Sequence, residues 1–176
     1  MNVSEKHKKE IEKRIPKKDQ QAFLDTALED ALNKEGKKTS EKSETIEIFT
    51  DGGSRGNPGP SGGGFVIFKG GKLVDKGSAY FGEKTNNQAE YLALHLALRE
   101  AHEKFNTSKI HCFLDSKLVV EQMKGNFKVK SENVKPLFEE TRRLMAQFKS
   151  FSIQHIPREQ NKLADQMANE AMDRRA

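Results

Sequence analysis

Four acidic residues lie at points of this sequence where the pattern of a strand or a helix begins or ends. Asp51 and Asp115 each follow a short run of β-forming residues that predicts a strand. Glu90 falls in the predicted first turn of one helix, and Asp165 falls early in another. Carboxylates that meet in a fold raise one another's pKa unless cations neutralise them. The four acids therefore predict a site for hard divalent cations such as Mg²⁺, which prefer carboxylate and water oxygens.

Asp51 taken alone is a weak signal. Asp-Gly is also a common turn dipeptide in β-hairpins, so Asp51-Gly52 fits an ordinary turn as well as a functional position. The glycine-rich stretch 52–64 predicts that the first strand ends at Asp51 and delivers its carboxylate into a glycine-rich turn. Because glycine has no Cβ atom, a phosphate backbone could lie close against such a turn.

The order of strand and helix patterns predicts the sheet that must position these acids. The predicted strands cover residues 46–51, 64–69, 72–81, 109–114 and 151–156. The predicted helices cover about 88–104, a segment opened by Asp115, about 131–148, and a segment that follows Asn161. The first three strands form an antiparallel meander with a hairpin at Gly70-Gly71, and the last two are parallel additions. We therefore expect an α/β fold with a five-stranded mixed sheet flanked by helices.

The composition indicates one domain with an N-terminal extension. The 176 residues suffice for a single good core, and the net charge of +5 suits a polyanionic partner without demanding one. The only cysteine, Cys112, lies in an apolar strand pattern, which excludes an intramolecular disulfide and predicts a buried, inert thiol. Since we find no apolar leader and no membrane-length apolar run, we expect a cytoplasmic protein that does not engage a membrane.

The boundary between extension and main domain is predicted near residue 44. Residues 1–44 form the extension and its linker, and residues 45–176 form the main domain. Within the extension, apolar residues recur at helical spacing between about 19 and 34, which predicts a short amphipathic helix. That helix packs on the main domain, meets a partner or forms a weak isolated helix, and the sequence leaves these alternatives open. No obligate protein partner is evident.

Four motifs that carry the acids occur in an order that resembles type 1 ribonuclease H. They are Thr50-Asp51-Gly52 with Asn57-Pro58-Gly59, Thr85-Asn86-Asn87-Gln88-Ala89-Glu90, Asp115-Ser116, and the segment from His155 through Asn161 to Asp165. Any one of them would be weak, but the four in order are specific, and they extend from the first strand to the last helix. The resemblance implies the ribonuclease H-like fold and, for residues 45–176, hydrolysis of the RNA strand of an RNA–DNA hybrid.

The resemblance also implies roles for individual residues. The metal ligands are Asp51, Glu90, Asp115 and Asp165, and they hold two Mg²⁺ ions together with the substrate, with Mn²⁺ as a second candidate ion. Attack of an activated water with departure of the ribose 3′ oxygen gives 5′-phosphate and 3′-hydroxyl ends. The implied substrate-binding residues are Gly52, Asn57, Thr85, Asn86, Asn87, Gln88, Ser116 and Asn161. The asparagine amides suit an RNA 2′-hydroxyl, because both groups donate and accept hydrogen bonds.

Two further residues of the last motif are candidates for catalysis. His155 matches the family's histidine that moves a proton or helps the product leave, and its alternative role is that of a structural histidine at a strand end. Arg158 could supply a positive charge near the scissile phosphate. Glu159 lies in the same loop and has no assigned role.

The sequence departs from the best-known bacterial pattern because it lacks the Trp-rich basic helix that grips hybrid in many members. Only Lys124, Lys128, Lys130 and Lys135 remain in that region, and each fits an ordinary surface lysine. The affinity for hybrid is then weaker, or the N-terminal extension compensates.

Two other functions remain as alternatives. One is a catalytically silent module that only binds nucleic acid, but four negative charges facing phosphate would weaken such binding. The other is a nuclease of the same fold that acts on DNA, against which the asparagines Asn57, Asn86 and Asn87 argue. The expected partner is therefore an RNA–DNA hybrid, with other RNA-containing duplexes as further candidates.

Overall fold

The computed structural model describes residues 45–105 and 109–174. Within these residues the strands are β1 Thr45–Ser54, β2 Gly59–Lys69, β3 Lys72–Lys84, β4 Lys109–Leu114 and β5 Ser150–His155. The α-helices are α1 Asn86–Phe105, α2 Lys117–Met123, α3 Lys135–Met145 and α4 Lys162–Arg174, and a 3₁₀ turn covers Arg158–Gln160.

The five strands form one mixed sheet in the order β3-β2-β1-β4-β5. The strand pairs β1–β2 and β2–β3 are antiparallel, whereas β1–β4 and β4–β5 are parallel. Strand β1 is therefore the central strand, and both Asp51 near its carboxyl end and Asp115 just after β4 face the same edge of the sheet. The predicted five-stranded mixed sheet is confirmed.

The glycine-rich turn predicted after Asp51 was wrong, because most of these glycines lie in strands. Strand β1 continues past Asp51 to Ser54, and β2 begins at Gly59 rather than at residue 64. Packing explains the glycines: a Cβ atom on Gly63 would lie 2.6 Å from the Cβ of Ala93 in α1. A Cβ atom on Gly64 would lie 2.3 Å from the Cβ of Met167 in α4. The glycines thus let helices approach both faces of the sheet closely.

The core lies between the sheet and helices α1 to α3. Its fully buried members include Ile46, Ile48, Tyr91, Leu94, Leu98, Leu114 and Val119. Cys112 belongs to this core, and burial raises the pKa of its thiol far above the ordinary value. The prediction of a buried, inert cysteine is confirmed. Helix α4 packs mainly against β2, with further contacts to β1 and β3.

Other element bounds differ from the predictions by a few residues. Helix α1 begins at Asn86 rather than 88, so Glu90 lies beyond its first turn. Strand β3 continues to Lys84 instead of ending at 81, and α3 covers Lys135–Met145 rather than 131–148. The pattern 131–148 was too long because residues 132–134 form a hydrogen-bonded turn before the helix begins.

The chain divides between Lys42 and Ser43 into two units, and all described residues belong to the second. The predicted boundary near residue 44 stays a prediction, and the helix predicted at about 19–34 lies outside the described residues. Within residues 45–105 and 109–174, no helix is both long and apolar enough to cross a membrane.

Candidate active site

The four predicted acids line one cleft of about 280 Å³ at the carboxyl edge of the parallel strands. Asp51 lies in β1, and Glu90 lies in the second turn of α1. Asp115 follows the last residue of β4, and Asp165 is the fourth residue of α4. The structure therefore brings together the side chains of four different elements, as the sequence predicted.

Asp51 and Glu90 meet because β1 and α1 approach each other very closely at Gly52. A Cβ atom on Gly52 would lie 2.2 Å from the backbone oxygen of Ala89, so no other residue fits this position without movement of the backbone. The backbone N–H of Gly52 also favours the charged form of both carboxylates, Asp51 and Glu90, and so lowers their pKa values. Gly52 thus fixes the buried side of the cleft.

Asp115 is held by Asn161, the residue that precedes α4. The Nδ2 atom of Asn161 donates to Asp115 Oδ1 at 2.8 Å and to the backbone oxygen of Thr50 at 2.8 Å. Asn161 is only 1% exposed, so its amide ties β1, the end of β4 and the start of α4 together. The expected substrate contact by Asn161 does not agree with this burial, and its place in the structure is that of a positioning residue.

Asp165 is held at both carboxylate oxygens. Arg158 Nη2 donates to Oδ1 at 2.6 Å, and Asn169 Nδ2 donates to Oδ2 at 3.1 Å. Asn169 also donates to the backbone oxygen of Asp165 at 2.9 Å, one turn back along α4. The sequence analysis missed Asn169, although the spacing Asp165-x-x-x-Asn169 places the two side chains on one helix face.

The buried acids have pKa values far from their ordinary range. Burial, followed by the charges of Asp115 and Asp165, raises the pKa of Asp51 from 3.8 to about 7. Burial also raises the pKa of Glu90 well above its usual value, and the charges of Asp51 and Asp115 add to this effect. The buried side of the cleft is therefore short of positive charge, which a bound cation would supply.

The donor set of the cleft fits a hard divalent cation. Glu90 Oε2 is buried and has no hydrogen-bond partner among the described residues, so it is free to bind an ion. Among those residues, no group of three or more His, Cys, Asp or Glu side chains is arranged to hold a metal ion on its own. Mg²⁺ is usually held by one or two carboxylates together with waters and substrate phosphate, so an open set of acids suits it better than a closed cage would.

Comparison with known proteins identifies the family. The family described as "Reverse transcriptase-like" matches residues 49–171. A protein named "Ribonuclease HI" from Halobacterium salinarum is 41% identical over 129 residues, which cover 73% of this chain and 64% of that protein. The crystal structure of RNase H1 from this archaeon has a TM-score of 0.71 at 40% identity and covers 73% of this chain and 98% of that one. The chain belongs to the type 1 ribonuclease H family.

Two further members of the ribonuclease H family are informative. LC11-RNase H1, solved in complex with RNA/DNA hybrid, has a TM-score of 0.70 at 41% identity and covers 73% of this chain and 97% of that one. "Bifunctional protein Rv2228c" from Mycobacterium tuberculosis is 40% identical over 130 residues, or 73% of this chain. This chain spans only 35% of the length of that bifunctional protein. The family and fold predicted from the sequence are confirmed.

Thr85 and Gln88, two expected substrate contacts, form the N-terminal cap of α1. Thr85 N and Oγ1 both donate to Gln88 Oε1 at 3.0 Å, and Gln88 N donates back to Thr85 Oγ1 at 3.3 Å. This arrangement is a capping box, in which the side chains at the N-cap and N3 positions satisfy each other's backbone N–H groups. The spacing Thr-x-x-Gln before an apolar helix was a sequence signal for it.

Asn86 lines the exposed part of the cleft, and exposed Asn57 lies next to it. Asn86 N donates to Asn57 Oδ1 at 3.0 Å, which links the loop after β1 to the start of α1. Asn86 Oδ1 accepts from Ser54 N at 3.3 Å. The Nδ2 groups of both asparagines make no hydrogen bond recorded within residues 45–105 and 109–174, and both residues are exposed.

Asn87 opens onto a second groove of about 560 Å³ beside the cleft. The groove is lined by Asn87, Leu118, Gln122, Asn126, Phe127, Lys128, Lys130 and Ser131. Buried Gln122 fixes the floor of this groove. It accepts a hydrogen bond from Tyr91 Oη at 3.0 Å and donates one to the backbone oxygen of Lys128 at 3.4 Å. Phe127 is 48% exposed next to Lys128, and the sequence analysis, which named only the lysines of this region, assigned it no role.

His155 and Ser116 do not line the cleft. His155 is the last residue of β5 and is exposed. Ser116 precedes α2, and its side chain makes no capping hydrogen bond. Their expected roles in catalysis and substrate binding stay predictions.

Proposed function

We propose that this protein is an endoribonuclease that hydrolyses the RNA strand of RNA–DNA hybrids with two divalent metal ions. The observation that carries the proposal is the convergence of four acids from four elements on one cleft, where the buried Glu90 Oε2 has no hydrogen-bond partner among the described residues. Membership of the ribonuclease H family supports the reaction, and the hybrid-bound relative LC11-RNase H1 supports the substrate.

The four acids would hold two Mg²⁺ ions, or Mn²⁺ in their place, together with the scissile phosphate. Such ions would supply an activated water and would stabilise the leaving 3′ oxygen, so the products would carry 5′-phosphate and 3′-hydroxyl ends. The chain positions its ligands for this chemistry: Gly52 lets β1 and α1 approach closely, which brings Asp51 and Glu90 together, and Asn161 fixes Asp115. The exposed guanidinium of Arg158 brings a positive charge to the same cleft, where it could contact phosphate.

We propose that Asn57 and Asn86 read the RNA strand. The backbone N–H of Asn86 donates to Asn57 Oδ1, and each side chain keeps an Nδ2 group that can donate to a 2′-hydroxyl. The groove beside Asn87 would take the second strand, since Lys128 and Lys130 can neutralise phosphates and Phe127 can stack on a sugar or base.

His155 is proposed to carry a proton or assist product release from the exposed end of β5, because an imidazole is neutral or charged near pH 7. We also propose that the protein acts in the cytoplasm, which fits its single cysteine, free and buried in the core.

One assay tests the reaction and its substrate together. Labelled RNA–DNA hybrid, DNA duplex and RNA duplex are incubated with Mg²⁺ and either the wild-type protein or Asp51→Asn. We expect cleavage of the RNA strand of hybrid by wild type and a loss of roughly 1,000-fold or more in Asp51→Asn, the scale of removing an essential catalytic group. Intact hybrid after incubation with wild type would contradict the enzyme assignment and favour a silent binding module. Equal cleavage of DNA duplex would contradict the hybrid substrate.

A further inference from the structure

Asp165 differs from the other acids of the cleft in having donors on both carboxylate oxygens. Arg158 Nη2 lies 2.6 Å from Oδ1, and Asn169 Nδ2 lies 3.1 Å from Oδ2. Glu90, in contrast, has an oxygen with no partner among the described residues. A cation that uses Asp165 as a ligand must therefore meet a carboxylate that is already occupied.

The two donors on Asp165 differ in how easily they can leave. Asn169 lies one turn further along α4, is partly buried, and also donates to the backbone oxygen of Asp165 at 2.9 Å. It therefore stays with Asp165 as part of the helix. Arg158 lies in the 3₁₀ turn before α4, and its side chain is 74% exposed. Exposed ion pairs contribute little stability, so solvent and ions can replace this guanidinium at small cost.

We propose that Arg158 is a displaceable counter-charge on Asp165 and that Asn169 is its permanent positioning residue. The guanidinium neutralises Asp165 in the cation-free protein and swings away when a divalent cation takes the same oxygen. The inference rests on the proposed function, because it takes Asp165 to be a metal ligand. It extends that function because competition between Arg158 and the cation for Asp165 Oδ1 would set the cation affinity, in addition to the total charge of the cleft.

Removing the two donors should change cation affinity in opposite directions. Without Arg158 the cation no longer competes for Oδ1, so affinity rises. Without Asn169 the carboxylate loses its fixed orientation, so affinity falls. A general change in local charge would not produce this pair of results, since Asn169 is neutral.

The test is calorimetric titration of the full chain with Mn²⁺ alone, without nucleic acid. We expect Arg158→Gln to bind Mn²⁺ roughly 2- to 5-fold more tightly than wild type, the scale of an exposed ion pair. Arg55→Gln is the matched control, because Arg55 lines the same cleft but pairs with Asp173 rather than with one of the four acids. This control should change the affinity by less than about 2-fold, since a screened charge without a direct contact contributes little.

The second arm uses Asn169→Ala, which we expect to bind Mn²⁺ about 3-fold or more weakly through loss of one hydrogen bond to a charged group. Gln166→Ala is its control, because the Gln166 side chain donates to Glu170 on the same helix and not to the Asp165 carboxylate. Arg158→Lys keeps the charge with a single ammonium and should fall between wild type and Arg158→Gln. Thermal melting of each variant checks that the fold is retained, and Arg158→Lys carries the test if Arg158→Gln does not fold.

Equal gains in Arg158→Gln and Arg55→Gln would overturn the inference, because charge alone would then explain both. A tighter Asn169→Ala would overturn it as well. If wild type takes up no Mn²⁺ at all, the proposed metal site fails, and that result is distinct from either outcome with the variants.

Discussion

The two sides of the cleft manage their negative charge in different ways. On the buried side, Asp51 and Glu90 lie where β1 and α1 approach closely at Gly52, and burial raises both of their pKa values. On the exposed side, Asp165 is paired with Arg158 and hydrogen-bonded by Asn169. The buried side thus depends on a rigid backbone and lacks counter-charge, whereas the exposed side depends on side chains that solvent can reach. The two sides should therefore respond differently to substitution.

Replacement of Gly52 by alanine is the strongest way to break the buried side. The new Cβ atom would lie 2.2 Å from the backbone oxygen of Ala89, so β1 and α1 must move apart. We expect a loss of roughly 3 kcal/mol or more in the free energy of unfolding, as for an overpacked core position. The measurement is urea-induced unfolding of the purified variant.

The neighbouring Gly53→Ala is the matched control for this change. Its Cβ atom would lie 3.7 Å from the Cε of Met172, an ordinary contact with a flexible side chain. It should cost less than about 1 kcal/mol, within the range of a mild substitution. Equal losses in both variants would show that β1 tolerates no side chain here at all, and that the close approach to Ala89 is not the reason.

The sheet order and the four acids could be predicted because they depend on patterns within short stretches. Alternating apolar residues mark the strands, and each acid stands in a motif of its own. The course of residues 52–64 could not be predicted, because glycine favours turns locally. Only the helices packed against Gly63 and Gly64 explain why glycine is needed in a strand here. The tertiary contact prevailed over the local preference.

Within the site, the sequence identified residues more reliably than their roles. Asn161 was expected to contact substrate, but its burial and its bond to Asp115 depend on where β1 and β4 end in space. The second donor on Asp165, Asn169, carries no motif, and its contact appears only once the side-chain rotamers of α4 are known.

The pH dependence of stability tests how the buried side of the cleft carries its negative charge. The pKa of Asp51 is raised from 3.8 to about 7, so the folded protein keeps its proton over a range in which the unfolded chain releases it. Below about pH 4 both states are protonated, and above about pH 7 both are ionised, with the full penalty on the folded state. We expect the cation-free protein to lose stability as pH rises between these values.

Asp51→Asn removes this penalty and should flatten the pH profile. At pH 8 and without divalent cations, we expect the variant to be more stable than wild type by about 2 kcal/mol. This is less than the full linkage effect, which is about 1.4 kcal/mol for each unit by which the pKa is raised. Thermal melting from pH 4 to pH 8 measures the effect. Asp173→Asn is the control, because Asp173 is an exposed acid paired with Arg55, and it should not raise stability at pH 8. A destabilised Asp51→Asn at pH 8 would contradict the predicted crowding of the buried acids.

The smallest expected effect concerns the cap of α1, which places Glu90 on the buried side. Thr85→Ala removes the hydroxyl that accepts from Gln88 N, and we expect a loss of about 1 kcal/mol in unfolding free energy. Thr85→Ser keeps this hydroxyl and should restore most of the stability. If Thr85 is only a cap, KM for hybrid in Thr85→Ala should stay within about 2-fold of the wild-type value, because the uncapped helix keeps its packing on the sheet. A large rise in KM with unchanged stability would instead support the substrate contact expected from the family motif, and would move the boundary of the substrate site from Asn86 to Thr85.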